Sequence, residues 1–181
     1  MLGNDYEGQD CGLARALEVI GERWTMLILR DAFYGVQRFS DFAVHLDIPR
    51  AVLTDRLRAL VERGLLERLP DPDHAGRALY RPTAEGRTLW PALHALMRWG
   101  TEQFGDGHAA RYHRHTVCGT DLRSGAYCPV CDMVAPLEEV ESERVPTEAS
   151  RTDPVSVALR GPRPMLAPLT GAETLAAAGP A

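Results

Sequence analysis

The chain has 181 residues, 45% of them hydrophobic, and a formal net charge of −5. That length suits one well-cored domain plus an extension, and no run approaches the roughly 18 apolar residues a membrane span needs. The start, Met1 to Asp10, is polar and acidic without a basic-then-apolar signal pattern, so a soluble cytoplasmic protein is expected.

The acidity is unevenly placed. Residues 11–104 carry 13 arginines against 12 acids, whereas the ends carry the negative excess. A nucleic-acid partner depends on a local basic face rather than on the whole-chain sum. The chain has no lysine, and each arginine brings a planar donor fork suited to phosphates and guanine edges.

After an N-terminal arm of residues 1–10, Leu13, Ala16, Leu17 and Ile20 repeat at helical spacing, and Gly21 can end that helix. Trp24 to Tyr34 is apolar on several sides, as a central buried helix would be, and stops at Gly35. Phe39, Phe42, Ala43 and Leu46 mark a short third helix, with Ser40 or Asp41 as its cap. Asp47-Ile48-Pro49 makes a tight turn. A longer helix follows from Pro49, in its first turn, to Arg63, with Leu53, Leu57, Leu60 and Val61 as its apolar stripe and Gly64 as its stop. Leu65–Leu69 and Arg77–Pro82, around the turn-rich segment 70–76, predict a β hairpin. Thr83 caps a last helix predicted to run to about Phe104, kinked at Pro91. Residues 108–140 hold a Cys/His cluster. Residues 141–181, rich in Pro and Ala and poor in aromatics, are expected to be a largely disordered tail.

Short helix, turn, longer helix and hairpin form the order of a helix-turn-helix with a wing: a mainly α fold with a small β wing, a small Cys/His-containing appendage and the tail. The longer helix hides its leucines and leaves Arg50, Ala51, Thr54, Asp55 and Arg58 on the other side, where a helix entering a major groove meets base edges. Arg77, beside the wing tip, suits a minor groove or a phosphate. Trp24, Phe39, Phe42, Trp90 and Trp99 are expected in the core or a dimer interface. Trp90, Leu93, Leu96, Met97 and Trp99 span more than one stripe, which points to a homodimer built on this helix and the one carrying Leu13 and Leu17.

Several segments in order, Cys11–Leu17, Ile20–Arg30, Arg38–Phe42, Val52–Leu60, Gly64–Leu66, Tyr80–Thr83 and Gly86–Leu89, resemble HxlR-type regulators, relatives of the MarR family. The resemblance covers residues 11–104, and places a DNA-binding and dimerisation domain at residues 11–107. It implies a transcription regulator, repressor or activator, acting on double-stranded DNA as a homodimer at a near-palindromic operator, cytoplasmic and nucleoid-associated. It implies no catalysis, and no phosphate loop or nucleophile motif is present.

Four cysteines remain. Cys11 precedes a helix, where the dipole and free N–H groups stabilise a thiolate and Arg15 can add to that, with Asp10 opposing. The resemblance adds redox or electrophile sensing at this position; the plain alternative is a small inert thiol. The late cluster is His113, His115, Cys118 and the pair Cys128-Pro-Val-Cys131. A structural zinc there would take His115, Cys118, Cys128 and Cys131, with His113 as substitute; a Cys128–Cys131 redox pair and inert thiols are the alternatives. The winged helix is expected to have its own core, so this cluster should have no leverage on the reading helices. A winged-helix protein-interaction module without DNA binding, or a small cysteine-dependent redox enzyme, are the other readings.

Overall fold

A computed structural model describes residues 10–105, 111–144, 151–171, 173 and 174. The arm up to residue 9, the end of the 11–107 domain and start of the appendage at 106–110, and residues 145–150, 172 and 175–181 of the predicted tail lie outside the described residues.

Four helices open the fold: α1 (Gly12–Ile20), α2 (Thr25–Phe33), α3 (Phe39–Leu46) and α4 (Arg50–Glu62). Their ends follow from local chemistry. Gly35 takes φ +88° after α2, Asp47 takes the left-handed conformation after α3, and Gly64 at φ +71° follows α4. Two predicted caps differ. Arg38 rather than Ser40 or Asp41 stands at the N-cap of α3, and Pro49 is the N-cap of α4 rather than its first helical residue. Strands β1 (Leu66–Pro70) and β2 (Ala78–Pro82) pair antiparallel, from Leu66 opposite Pro82 to Pro70 opposite Ala78. The residues linking α2 to α3 add to this hairpin through a bridge between Arg38 and Leu79.

The helix predicted from Thr83 to Phe104 is two helices. Thr83 accepts the Gly86 N–H at 3.0 Å and starts α5 (Ala84–Arg87); α6 (Trp90–Phe104) begins anew with Pro91 in its first turn. The break therefore falls before Pro91, where the missing N–H is tolerated, instead of kinking one long helix at it.

The tail is the largest departure from expectation. Strands β3 (Arg111–His115), β4 (Thr120–Asp121), β7 (Val140–Arg144) and β8 (Arg163–Pro164) form one antiparallel sheet in the order β4-β3-β7-β8. A second small hairpin joins β5 (Tyr127–Cys128) to β6 (Met133–Val134). Helix α7 (Pro154–Ala158), with Asp153 accepting the Ser156 N–H at 2.9 Å, packs on α3. Described residues 141–144 and 151–171 are thus ordered structure, and the β layer does not end at residue 140. The segment buries few but well-spaced apolar residues, Val155, Leu159, Met165 and Leu169. Its backbone is paired with distant groups: Leu166 N–H with Phe33 C=O and Leu169 N–H with Gly35 C=O, both at 2.8 Å. Composition alone reveals neither.

The winged helix does not have a core of its own. One continuous cluster of buried side chains runs from Ile28, Phe33 and Leu57 through Trp90 to Ala126, Cys128, Leu137, Val140, Leu159 and Leu169. At the joint, Tyr34 and His113 stack with ring centres 6.0 Å apart, Trp90 sits edge-on to both Phe33 and His113, and His94 Nδ1 accepts the Ala126 N–H at 2.9 Å. His113 is thereby used for packing rather than kept as a spare metal ligand.

Candidate nucleic-acid interface and thiol cluster

Helix α4 is amphipathic in the way a reading helix must be. Leu53, Leu57 and Leu60 are buried against the core, while Arg50, Ala51, Thr54, Asp55 and Arg58 are all exposed along the opposite side. The Arg50 guanidinium lies 5.3 Å from the centre of the Phe39 ring, which holds that long side chain at the start of α4. Thr54 Oγ1 donates to Arg50 C=O at 2.9 Å, and Arg58 pairs with Asp55 at 2.8 Å. That pair is exposed on both sides, so exchanging it for a phosphate or a base costs little.

The wing tip is organised by a residue that sequence reading treated only as turn chemistry. The Asp71 carboxylate is fully buried and accepts from Arg38 Nε at 3.3 Å and the Asp73 N–H at 2.9 Å. Burial alone would raise its pKa; the Asp73 N–H and the Arg38 guanidinium outweigh that and hold it below the ordinary carboxylate value. Arg38 also reaches Asp73 at 3.2 Å, so this arginine is committed to shaping the tip. Arg77 accepts the Asp71 N–H through its carbonyl and points an exposed side chain from the same tip. Arg68, exposed on β1, adds a further cation on the hairpin, which no motif in the sequence marks.

Cys11 is exposed at the N-cap of α1 and makes no side-chain capping hydrogen bond. Arg15 pairs with Glu18 at 3.1 Å. The assistance to the thiol expected of Arg15 is therefore directed elsewhere.

The late cysteines converge. His115 closes β3, Cys118 follows in the turn after it, Cys128 ends β5, and Cys131 lies in the β5–β6 hairpin turn. One donor atom from each of the four lies within 4.8 Å of every other, and all three cysteines are free thiols. Cys118 Sγ is 3.5 Å from His115 Nδ1 and 3.4 Å from Cys128 Sγ. The Cys131 N–H points to Cys128 Sγ at 3.4 Å. On its far side, His115 Nε2 meets Glu139 Oε2 at 3.1 Å. That hydrogen bond, helped by the cysteine sulfurs, raises His115 to about 9. The Thr120 hydroxyl and N–H bring Cys118 down to about 6 against the opposing effect of burial, and the hydrogen bond that the Cys131 thiol donates to Cys118 pushes Cys131 up to about 11. Glu139 was not singled out from the sequence, since nothing local ties residue 139 to residue 115.

A short helix, a tight turn and an outward-facing second helix beside a β hairpin define a winged helix-turn-helix protein. The HxlR-like helix-turn-helix family model matches residues 19–108. The HTH-type transcriptional regulator Rv3095 of Mycobacterium tuberculosis is 42% identical over 149 residues, which is 81% of this chain and 89% of that protein. YvaP, an HTH-type transcriptional regulator of Bacillus subtilis, is 33% identical over 89 residues, 49% of this chain and 82% of its own. The crystal structure of PA1607, described as a transcription factor, is similar at a TM-score of 0.58 and 36% identity, over 66% of this chain and 84% of that one. The chain belongs to the HxlR-like helix-turn-helix family and is a transcriptional regulator. The match to Rv3095 is too long to stop at the winged helix and runs into the residues of the β layer, whereas YvaP is matched over about half of this chain. Among the described residues, no helix is long and apolar enough to cross a membrane.

Proposed function

We propose that the protein is a homodimeric, sequence-specific DNA-binding regulator that lays α4 in the major groove of each half of a near-palindromic operator. The observation that carries this is the two-sided α4: a buried leucine stripe backed by an exposed row of Arg50, Ala51, Thr54, Asp55 and Arg58, with a wing beside it. In this reading Arg50 and Arg58 take guanine edges or phosphates, Thr54 and Ala51 make close apolar and hydroxyl contacts, and Asp55 accepts from a cytosine amine. Arg77 meets a phosphate or the adjacent minor groove.

The dimer rests on apolar surface left uncovered in one chain. Leu13 and Leu17 are exposed on α1; Leu96 and Trp99 are each 55% exposed on α6, and Phe104 80%. Side chains of this size presented on two helices suit an interface with a second copy.

Gel shifts or fluorescence anisotropy on the promoter of the protein's own gene test the reading. Arg50→Ala or Arg58→Ala should weaken specific binding by about 1–3 kcal/mol, and Arg77→Ala should weaken binding more evenly across sequences and flatten the salt slope. Wild-type affinity in all three variants would remove α4 and the wing as the reading face. No salt-dependent DNA binding at all would leave a protein-interaction module. For oxidant or electrophile sensing the candidate is Cys11, on its exposure beside α1. A quinone or peroxide should then change DNA affinity in wild type and leave Cys11→Ser unaffected; an unchanged response in Cys11→Ser would remove it from that role.

A further inference from the structure

The DNA-reading face makes no use of the His115–Cys118–Cys128–Cys131 cluster, yet four side chains able to bind a metal, from the β3–β4 and β5–β6 hairpins, meet there. A tetrahedral zinc with Zn–S near 2.3 Å and Zn–N near 2.0 Å has ligand-to-ligand edges of about 3.5–3.8 Å. Two of the edges in the cluster, 3.5 Å from Cys118 Sγ to His115 Nδ1 and 3.4 Å from Cys118 Sγ to Cys128 Sγ, lie close to that figure. A redox pair needs two sulfurs, and here a third sulfur and an imidazole nitrogen share the same small volume.

The surroundings fit as well as the donors. The far nitrogen of His115 is held by the Glu139 carboxylate, which fixes which ring nitrogen faces the sulfurs and makes it a better donor. The Cys131 N–H directed at Cys128 Sγ is a hydrogen bond that stabilises a thiolate in a Cys-x-x-Cys turn. Cys128 is fully buried and His115 is 1% exposed, so a metal with these four ligands has no open position for a substrate. That is the pattern of a structural centre and not of a catalytic one.

We propose that His115 Nδ1 and the sulfurs of Cys118, Cys128 and Cys131 hold one structural Zn²⁺ ion, with Glu139 orienting the imidazole. The ion ties β3 to the β5–β6 hairpin, in a region whose strands are mostly two residues long, and adds to the core packing of Ala126, Cys128 and Leu137. The late cysteines act as ligands and Cys11 takes no part.

The test uses the full-length protein and never depends on DNA. Elemental analysis should give about one zinc per chain, and Co²⁺ in its place should show the intense visible bands of a tetrahedral thiolate site. Competition with a chromophoric chelator should show Glu139→Gln binding Zn²⁺ about 10–100-fold more weakly than wild type. Glu139 is nearly half exposed, so this variant keeps the fold even where Cys128→Ser does not. Cys131→Ala should lose the metal, and Cys11→Ser should keep it. Wild-type protein that takes up well under one Zn²⁺ per chain after reconstitution would overturn the proposal. So would a disulfide among Cys118, Cys128 and Cys131 in protein purified under reducing conditions, or a Cys11→Ser variant that loses metal as Cys131→Ala does.

Discussion

Asp31 is a charge placed where charge is expensive. Its carboxylate is fully buried; one oxygen takes two hydrogen bonds from Arg30 at 2.9 and 2.7 Å, and the other meets His45 Nδ1 at 2.7 Å. Burial pushes its pKa up, but the Arg30 charge and the His45 hydrogen bond prevail and hold it below the ordinary carboxylate value. The trio ties α2 to α3, the first helix of the helix-turn-helix pair. Asp31→Ala strands two partners in the interior and should cost about 3–5 kcal/mol in urea unfolding; a loss under about 1 kcal/mol would show that the trio contributes little. His94 acts in the opposite sense. Burial, with Arg98 adding, lowers its pKa to about 4, so the ring is neutral and free to accept the Ala126 N–H. An unfolded histidine titrates near 6.5. Below that pH the unfolded chain takes up a proton that the folded chain refuses. The stability is therefore complete above about 6.5 and is lost progressively as pH falls toward 4. Wild type should lose roughly 2–3 kcal/mol more than His94→Asn between pH 7.5 and 4.5, since Asn keeps an acceptor for the Ala126 N–H without titrating. Parallel pH profiles for the two proteins would contradict this.

At the level of elements, what could be read from the chain depended on distance along it. Helices α1 to α4 and the hairpin were legible because their signals are local: the leucine spacing of α4, the glycines at 35 and 64, the turn residues of 70–76. The exposed row on α4 follows from the same periodicity. The cysteine set was legible through the Cys128-x-x-Cys131 spacing, but its supporting Glu139 was not, because the strand register that brings β7 beside β3 is a long-range outcome. The C-terminal segment failed for that reason too. It has little apolar content of its own and is ordered by surfaces and backbone groups more than a hundred residues earlier. Gly35 shows how close that contact is. It adopts φ +88°, and a Cβ there would sit 1.8 Å from the Ala167 carbonyl oxygen. Gly35→Ala should therefore strain the loop and push residues 165–169 off it together. Hydrogen exchange at the Leu166 and Leu169 amides should rise well beyond any change in α4, and equal protection in wild type and variant would mean that the segment is not seated on this loop.

At the scale of the whole molecule, the exposed faces of α1 and α6 and the continuous core make different demands. The first calls for a second chain. Light scattering should give about 40 kDa at micromolar concentration, twice the 19.9 kDa of one chain, and Trp99→Glu should shift it toward the monomer. A wild-type monomer would leave those side chains unexplained. The second demand is that the β layer and the reading helices move as one body. β3, which ends at His115 of the proposed metal site, pairs with β7, and β7 pairs with β8. From β8 the chain runs over Phe33 and Gly35 at the end of α2, while α7 packs on α3 and Arg151 donates to the Val44 carbonyl at 3.2 Å. This is an unbroken run of backbone pairing and packed side chains from the thiol cluster to the helix that positions α4. Loss of the metal should loosen β3, then β7 and the segment behind it, and so widen the range of orientations of α3 and α4. Metal-free protein or Cys131→Ala should bind operator DNA at least about fivefold more weakly, a change of about 1 kcal/mol, with the Arg50, Thr54 and Arg58 row chemically untouched. An operator affinity that stays constant while the metal is removed would show that the two regions are mechanically independent in spite of their shared core.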